Sequence, residues 1–168
     1  MTSAPPTGRK ATTLTEQVET MLAASRVLVG ISAASLVAVE DIVSVAQFRV
    51  LVIIESRGSI GLQPLARAMG VHPSNASRAC DRLVALALLD RRDNPDDRRY
   101  LALELTQAGH DLINTVMTTR RNEVRKILQR MAPTDRDQLA HMLRMFAIAG
   151  GETDPEHLWS LGWSTAPR

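Results

Sequence analysis

The sequence predicts a mainly α-helical fold carrying one small β-hairpin, and three observations support it. Aromatic residues are only 3% of the 168 while apolar residues reach 45%, most of them Leu, Val, Ile, Ala and Met, a composition suited to helices packed on helices. Apolar positions recur at three- and four-residue intervals along most of the chain. At YLALEL, residues 100–105, the period drops to two beside the turn signal Asn94-Pro95-Asp96, which reads as a hairpin.

Residues 1–13 are rich in Pro, Thr, Ser and Ala and hold little to bury, so a disordered tail is expected there. From Leu14 onward Val18, Met21, Leu22, Val29 and Leu36 keep helical spacing and define a first helix. Ser44 and Gln47 have the spacing of a capping box, which opens a second, largely apolar helix running to about Ser56. RGSIG then breaks the chain and leaves room for a very short strand around Ile60.

A third helix is expected over about Leu62–Met69, with Pro64 in its first turn and Gly70 at its end. Pro73 pre-sets the first turn of a fourth, with His72 at the N-cap. This helix should bury Ala76, Ala79, Cys80, Leu83 and Ala87, turning Ser74, Asn75, Ser77, Arg78 and Arg82 outward. Two helices joined by GVH are a helix-turn-helix candidate.

In the hairpin, Leu101, Leu103 and Leu105 alternate with Tyr100, Ala102 and Glu104, and charges crowd the tip. Thr106 caps a long helix to about Met131 whose apolar face is Ile113, Val116, Val124, Ile127 and Leu128. Pro133 opens a last helix bearing Leu139, Leu143 and Phe146, and Gly150-Gly151 closes it. Residues 151–168 form a tail with Trp159 and Trp163 and no clear period. The organisation is therefore one domain over 14–150 between two tails.

Net charge is only +2, yet the cations are eighteen arginines and two lysines. Guanidinium forks onto phosphate and guanine, but a GC-rich genome gives the same excess, so position has to decide. The single cysteine, Cys80, excludes an intramolecular disulfide and any multi-cysteine metal site. It falls on the inward stripe of the fourth helix, where a thiol is inert. His72, His110, His141 and His157 show no metal-ligand pairing, so neither a metal nor another cofactor is expected. No nucleotide loop, zinc-protease motif or nucleophile elbow is present, which argues against an enzyme. The N-terminus lacks a secretory signal, and the apolar run Val27–Val39 falls short of the roughly 18 residues that span a bilayer. A cytoplasmic protein without membrane association is expected.

The order of elements resembles the MarR family, the winged helix-turn-helix regulators named for multiple antibiotic resistance. VAQFRVLVII is similar to the family's second helix, LARAMGVHPSNASRACDRLVALALLDR to its helix-turn-helix, and NPDDRRYLALELTQAG to its wing and the start of the next helix. The likeness covers about 14–149, with the DNA-binding core at about 44–106. It implies a homodimer interlocked through its terminal helices, set to bind double-stranded DNA at a two-fold symmetric operator. It also implies repression, and a small aromatic or phenolic effector bound between the dimer helices and the DNA module; no residue identifies that pocket. A ligand-independent architectural or anti-repressor protein is the alternative.

On this resemblance Ser74, Asn75, Ser77, Arg78 and Arg82 form the recognition set in a major groove, where arginine reads guanine and asparagine reads adenine. A solvated helix face with Asp81 pairing Arg78 is the plainer alternative. In the hairpin, Arg98 and Arg99 would lie at the minor groove, with Asp97 orienting Arg99; a charged turn protecting a strand edge would look the same. Arg67, Arg91 and Arg92 are candidates for phosphate contacts.

Overall fold

The computed structural model describes residues 12–93 and 101–151. Its elements run α1 (Leu14–Leu36), α2 (Val45–Arg57), β1 (Ile60–Gly61), α3 (Leu62–Met69), α4 (Pro73–Ala85), β2 (Leu89–Asp93), β3 (Leu101–Leu105), α5 (Gln107–Leu128) and α6 (Pro133–Ala149), with a 3₁₀ turn at Val37–Val39. The mainly helical expectation is met.

Capping chemistry sets the helix starts. Ser44 N donates to Gln47 Oε1 at 2.7 Å and Gln47 N donates to Ser44 Oγ at 3.3 Å, so α2 begins on the expected reciprocal pair. A second capping box opens α1: Thr13 N donates to Glu16 Oε2 at 2.7 Å and Glu16 N to Thr13 Oγ1 at 3.3 Å. Thr13 N and Thr13 Oγ1, the latter at 3.0 Å, both donate to the Glu16 carboxylate and hold it below its ordinary value. Gly70 ends α3 at φ +68°, the left-handed conformation that glycine adopts without a Cβ penalty.

α2 is the centre of the core. Phe48, Val50, Leu51, Val52 and Ile54 are all buried, and Leu65, Ala76, Cys80, Leu83, Leu89, Ile113 and Val116 close around them. The hairpin is part of a larger sheet than expected: β3 lies between β1 and β2, antiparallel to both, with Leu103 opposite Ile60 on one side and Arg91 on the other. The inward phase also differs from the leucine alternation. Ala102 and Leu103 are both buried, whereas Leu101 is exposed. Helices α2, α3 and α5 all pack against β3, so its middle is covered while its outer end is open.

Two further expectations need correction. α4 stops at Ala85, so Ala87 is an exposed residue beyond the helix rather than the last member of its buried stripe. Ala87 takes φ +56°, Ala87 N donates to Val84 O and Leu88 N to Leu83 O, both at 2.9 Å; this is a Schellman ending with alanine in the glycine position. Leu88 takes over the core place. Likewise α5 ends at Leu128 and Ile127 is exposed, because the inward face is used only along its first half, at Leu112, Ile113 and Val116.

The terminal helices are under-packed within one chain. α6 buries no residue, and α1 buries only Ile31 and Ser35. From Leu14 to Val39 the helical segment is 26 residues and contains an 18-residue window of mean hydropathy 1.9, long and apolar enough by length and composition to cross a membrane; the expectation that the apolar run is too short does not hold. Its last turns nevertheless pack on the protein. Ser35 accepts hydrogen bonds from Arg120 Nη2 at 3.2 Å and Nε at 3.4 Å, and burial lowers that guanidinium from its ordinary pKa.

Candidate nucleic-acid interface

The first turn of α4 is organised by its cap. His72 Nδ1 accepts from Ser74 N at 3.3 Å and stands 2.9 Å from Ser74 Oγ, which requires that nitrogen to be the unprotonated one. Pro73 occupies the first helical position, where a missing N–H costs nothing. α4 then turns Ala76, Cys80 and Leu83 into the core, and the opposite side presents Ser74, Asn75, Arg78 and Arg82, all exposed, with Ser77 half-buried between them. The five predicted residues thus share one face of the helix, from Ser74 in its first turn to Arg82 in its last.

That face has internal chemistry the sequence did not disclose. Arg78 Nη2 donates to Asn75 Oδ1 at 2.8 Å, so the guanidinium lies along the helix toward its N-terminus. The plainer alternative, Asp81 bound to Arg78, is not the arrangement found: Asp81 pairs with Arg91 of β2. Arg92 reaches Glu104 Oε2 at 3.4 Å and Asp90 Oδ2 at 3.5 Å. Of the candidate phosphate contacts, Arg91 and Arg92 therefore have carboxylate partners. Arg67 is exposed in the last turn of α3. Asp97, Arg98 and Arg99 lie outside the described residues, as do His157, Trp159 and Trp163.

Cys80 is fully buried, and burial pushes its thiol up to about 11, which leaves almost no thiolate near neutrality. Among the described residues no group of three or more His, Cys, Asp or Glu is arranged to hold a metal.

A cleft of about 230 Å³ that no residue of α4 lines opens where Glu55 and Gly58 at the end of α2 meet Glu104 and Leu105 of β3 and His110 of α5. His110 Nδ1 stands 2.7 Å from Glu55 Oε2, a buried oxygen that receives no aligned hydrogen bond. Two carboxylates in the wall make it unfavourable for an anionic aromatic acid.

The arrangement can offer a duplex two exposed guanidinium groups one helical turn apart, hydroxyls and an amide near a helix N-terminus, and a strand pair alongside. Comparisons with known proteins agree in kind. The MarR family profile matches residues 43–101. The chain is 41% identical to RV1404 from Mycobacterium tuberculosis, a solved structure, covering 86% of this chain and 99% of that one with a TM-score of 0.73. It is 32% identical to the HTH-type transcriptional repressor MdtR of Bacillus subtilis over 112 residues, 67% of this chain and 72% of MdtR. With the transcriptional repressor MprA of Escherichia coli the identity is 32% over 99 residues, 58% of this chain and 56% of that protein, so the match spans little more than half of MprA.

Proposed function

This chain belongs to the MarR family of DNA-binding transcriptional regulators, and from that premise we propose that it is a dimeric cytoplasmic repressor reading a two-fold symmetric operator. The observation that supports the reading best is the exposure of Arg78 and Arg82 on the second helix of the helix-turn-helix, beside Ser74 and Asn75 at its start. In a major groove, Arg78 and Arg82 read guanine edges, Asn75 reads adenine, and Ser74 and Ser77 hold phosphate or base edges. Asp97, Arg98 and Arg99 serve the minor groove beside it, and Arg67 holds phosphate, with Arg91 and Arg92 as weaker contacts because their carboxylate partners must be displaced.

The dimer is proposed from the apolar faces that one chain leaves open. Leu14, Val18 and Leu22 of α1 and Leu143, Met145 and Phe146 of α6 are all exposed, and apolar helix faces left open in this way point to an interface. A second copy supplies both faces at once through a two-fold axis. The domain accordingly runs over 14–150, with its DNA-binding core at about 44–106. Control by a small ligand is part of the same proposal. A duplex presents half-sites about 34–36 Å apart, so a ligand favouring a mis-spaced dimer releases the operator. An effector that is an anionic aromatic acid would sit away from the Glu55 and Glu104 cleft, whose carboxylates repel it, whereas a neutral phenol meets no such repulsion.

Selection of bound sequences from random duplex DNA at a stated salt concentration tests the reading. The expected result is an enriched, two-fold symmetric site bound by two chains. Binding without any enriched sequence would reject operator recognition, and a single chain per site by light scattering would reject the dimer.

A further inference from the structure

The end of α4 and the start of α5 meet in a joint made by two residues nineteen or more positions downstream of α4's last turn. Thr106 Oγ1 donates to Ala87 O at 2.6 Å while accepting from Gly109 N at 3.1 Å, and Thr106 N donates to Leu88 O at 3.2 Å. One hydroxyl therefore caps α5 and grips the backbone that ends α4. Gly109 completes the contact. A Cβ there would lie 2.3 Å from Leu88 O and 3.2 Å from Leu105 Cδ2, so the first turn of α5 rests directly on the Leu88 peptide. Ala87 and Leu88 are also the two residues whose amides close the Schellman ending of α4. The same short peptide is thus shared by both helices.

We propose that Thr106 and Gly109 are positioning residues for DNA reading: they fasten α5 to the C-terminal end of α4 and so set the pose from which Arg78 and Arg82 reach a duplex. The proposal rests on the DNA-reading role of α4 given above. A cap alone would need only an acceptor for Gly109 N. The donated bond to Ala87 O does nothing for α5 by itself; its effect is to hold the two helices together. Further along, α5 is fastened to α1 through Arg120 and Ser35, so one helix connects α1 to the end of α4.

Thr106→Asp separates the two roles. Aspartate caps as well as threonine or better, but it cannot donate to Ala87 O. Thr106→Ser keeps both bonds, and Gly109→Ala forces the helices apart by sterics. The measurement is the ratio of affinities of the full-length protein for a duplex selected by this protein from random DNA and for an unrelated duplex, together with far-UV circular dichroism and thermal midpoint. Thr106→Asp should keep its helicity, with at most a modest fall in midpoint, but lose about tenfold in that ratio, within the range expected when a bidentate base contact is misplaced. Gly109→Ala should lose at least as much, and Thr106→Ser should restore the wild-type ratio. Added negative charge would weaken both duplexes equally and leave the ratio alone, which would overturn the proposal. So would an unchanged ratio in Gly109→Ala. If the wild-type protein itself shows a ratio of one, the DNA reading fails and the joint's role with it; an intact wild-type ratio with insensitive variants rejects the joint only.

Discussion

Replacing Arg78 by alanine separates base reading from general attraction to DNA. In the structure the guanidinium is held by Asn75 Oδ1 at 2.8 Å, so binding a base exchanges one hydrogen bond for two. A bidentate arginine–guanine pair is worth about 1–3 kcal/mol of discrimination. The bond to Asn75 that must be released is exposed, and a net value of about 0.5–1.5 kcal/mol is the most it can set against that gain. The Arg78→Ala loss on the operator should therefore be about 0.5–1.5 kcal/mol, a factor of roughly 2 to 13. Fluorescence anisotropy on the selected operator, on its single-base variants and on random duplex, each at two salt concentrations, reads the outcome. Preference should relax at one base position while affinity for random duplex changes little. The salt dependence should also stay near that of the wild type, whereas loss of a phosphate contact lowers its slope by about one. An equal loss on operator and random DNA would show that Arg78 supplies charge and no base reading.

Three other perturbations test the fold and its surfaces. Ala87→Gly should stabilise the protein by about 0.5–1 kcal/mol in urea unfolding, because relief of about 1–2 kcal/mol at φ +56° exceeds glycine's extra unfolded entropy of about 0.4–1 kcal/mol; a loss of stability would show that the alanine is unstrained. Cys80 should resist a thiol reagent at pH 8 until the protein unfolds. Since its folded value of about 11 stands above the ordinary 9.0, the thiol's contribution is complete below pH 9 and is lost as pH rises toward 11. Cys80→Ala should flatten that alkaline limb of the stability profile, and an unchanged limb would contradict the assignment. Phe146→Asp should leave the single-chain fold intact, as the ring is 59% exposed there, but weaken self-association by at least about 1.5–3 kcal/mol per copy; an undiminished dimer mass in dilute solution would exclude α6 from the interface.

Features carried by short-range chemistry were legible in the sequence. Ser44 and Gln47 announce α2, Gly70 announces the end of α3, and His72-Pro73 announces α4, because each acts on backbone groups within four residues. Thr13 and Glu16 send the same signal for α1 and could have been read in the same way. The end of α4 could not: an alanine in the left-handed conformation has no local marker, and it is held there by bonds to Val84, Leu83 and the distant Thr106. For the same reason the partners of Asp81, Arg92 and His110 escaped, since they join residues brought together only by the sheet and by α5. The five residues proposed for recognition were legible as one helix face because helical periodicity alone puts them opposite Ala76, Cys80 and Leu83.

Those hidden partners change how the charge of the proposed DNA face should be counted. With twenty basic and eighteen acidic residues the chain has little net attraction for a polyanion, so affinity depends on which cations are already compensated. Arg91 stands against Asp81, and Arg92 against Asp90 and Glu104; a phosphate approaching either must compete with a carboxylate that stays behind and repels it. Arg67, Arg78 and Arg82 are exposed without such a carboxylate among the described residues. The pairing also has a structural consequence: Asp81 sits on α4 and Arg91 on β2, so their ion pair ties the strand that leads into residues 94–100 to the helix that carries Arg78. Exposed pairs of this kind are worth little in stability, about 0–1 kcal/mol. Their effect is better sought in specificity, because breaking the pair releases a carboxylate onto the very face that has to approach phosphate.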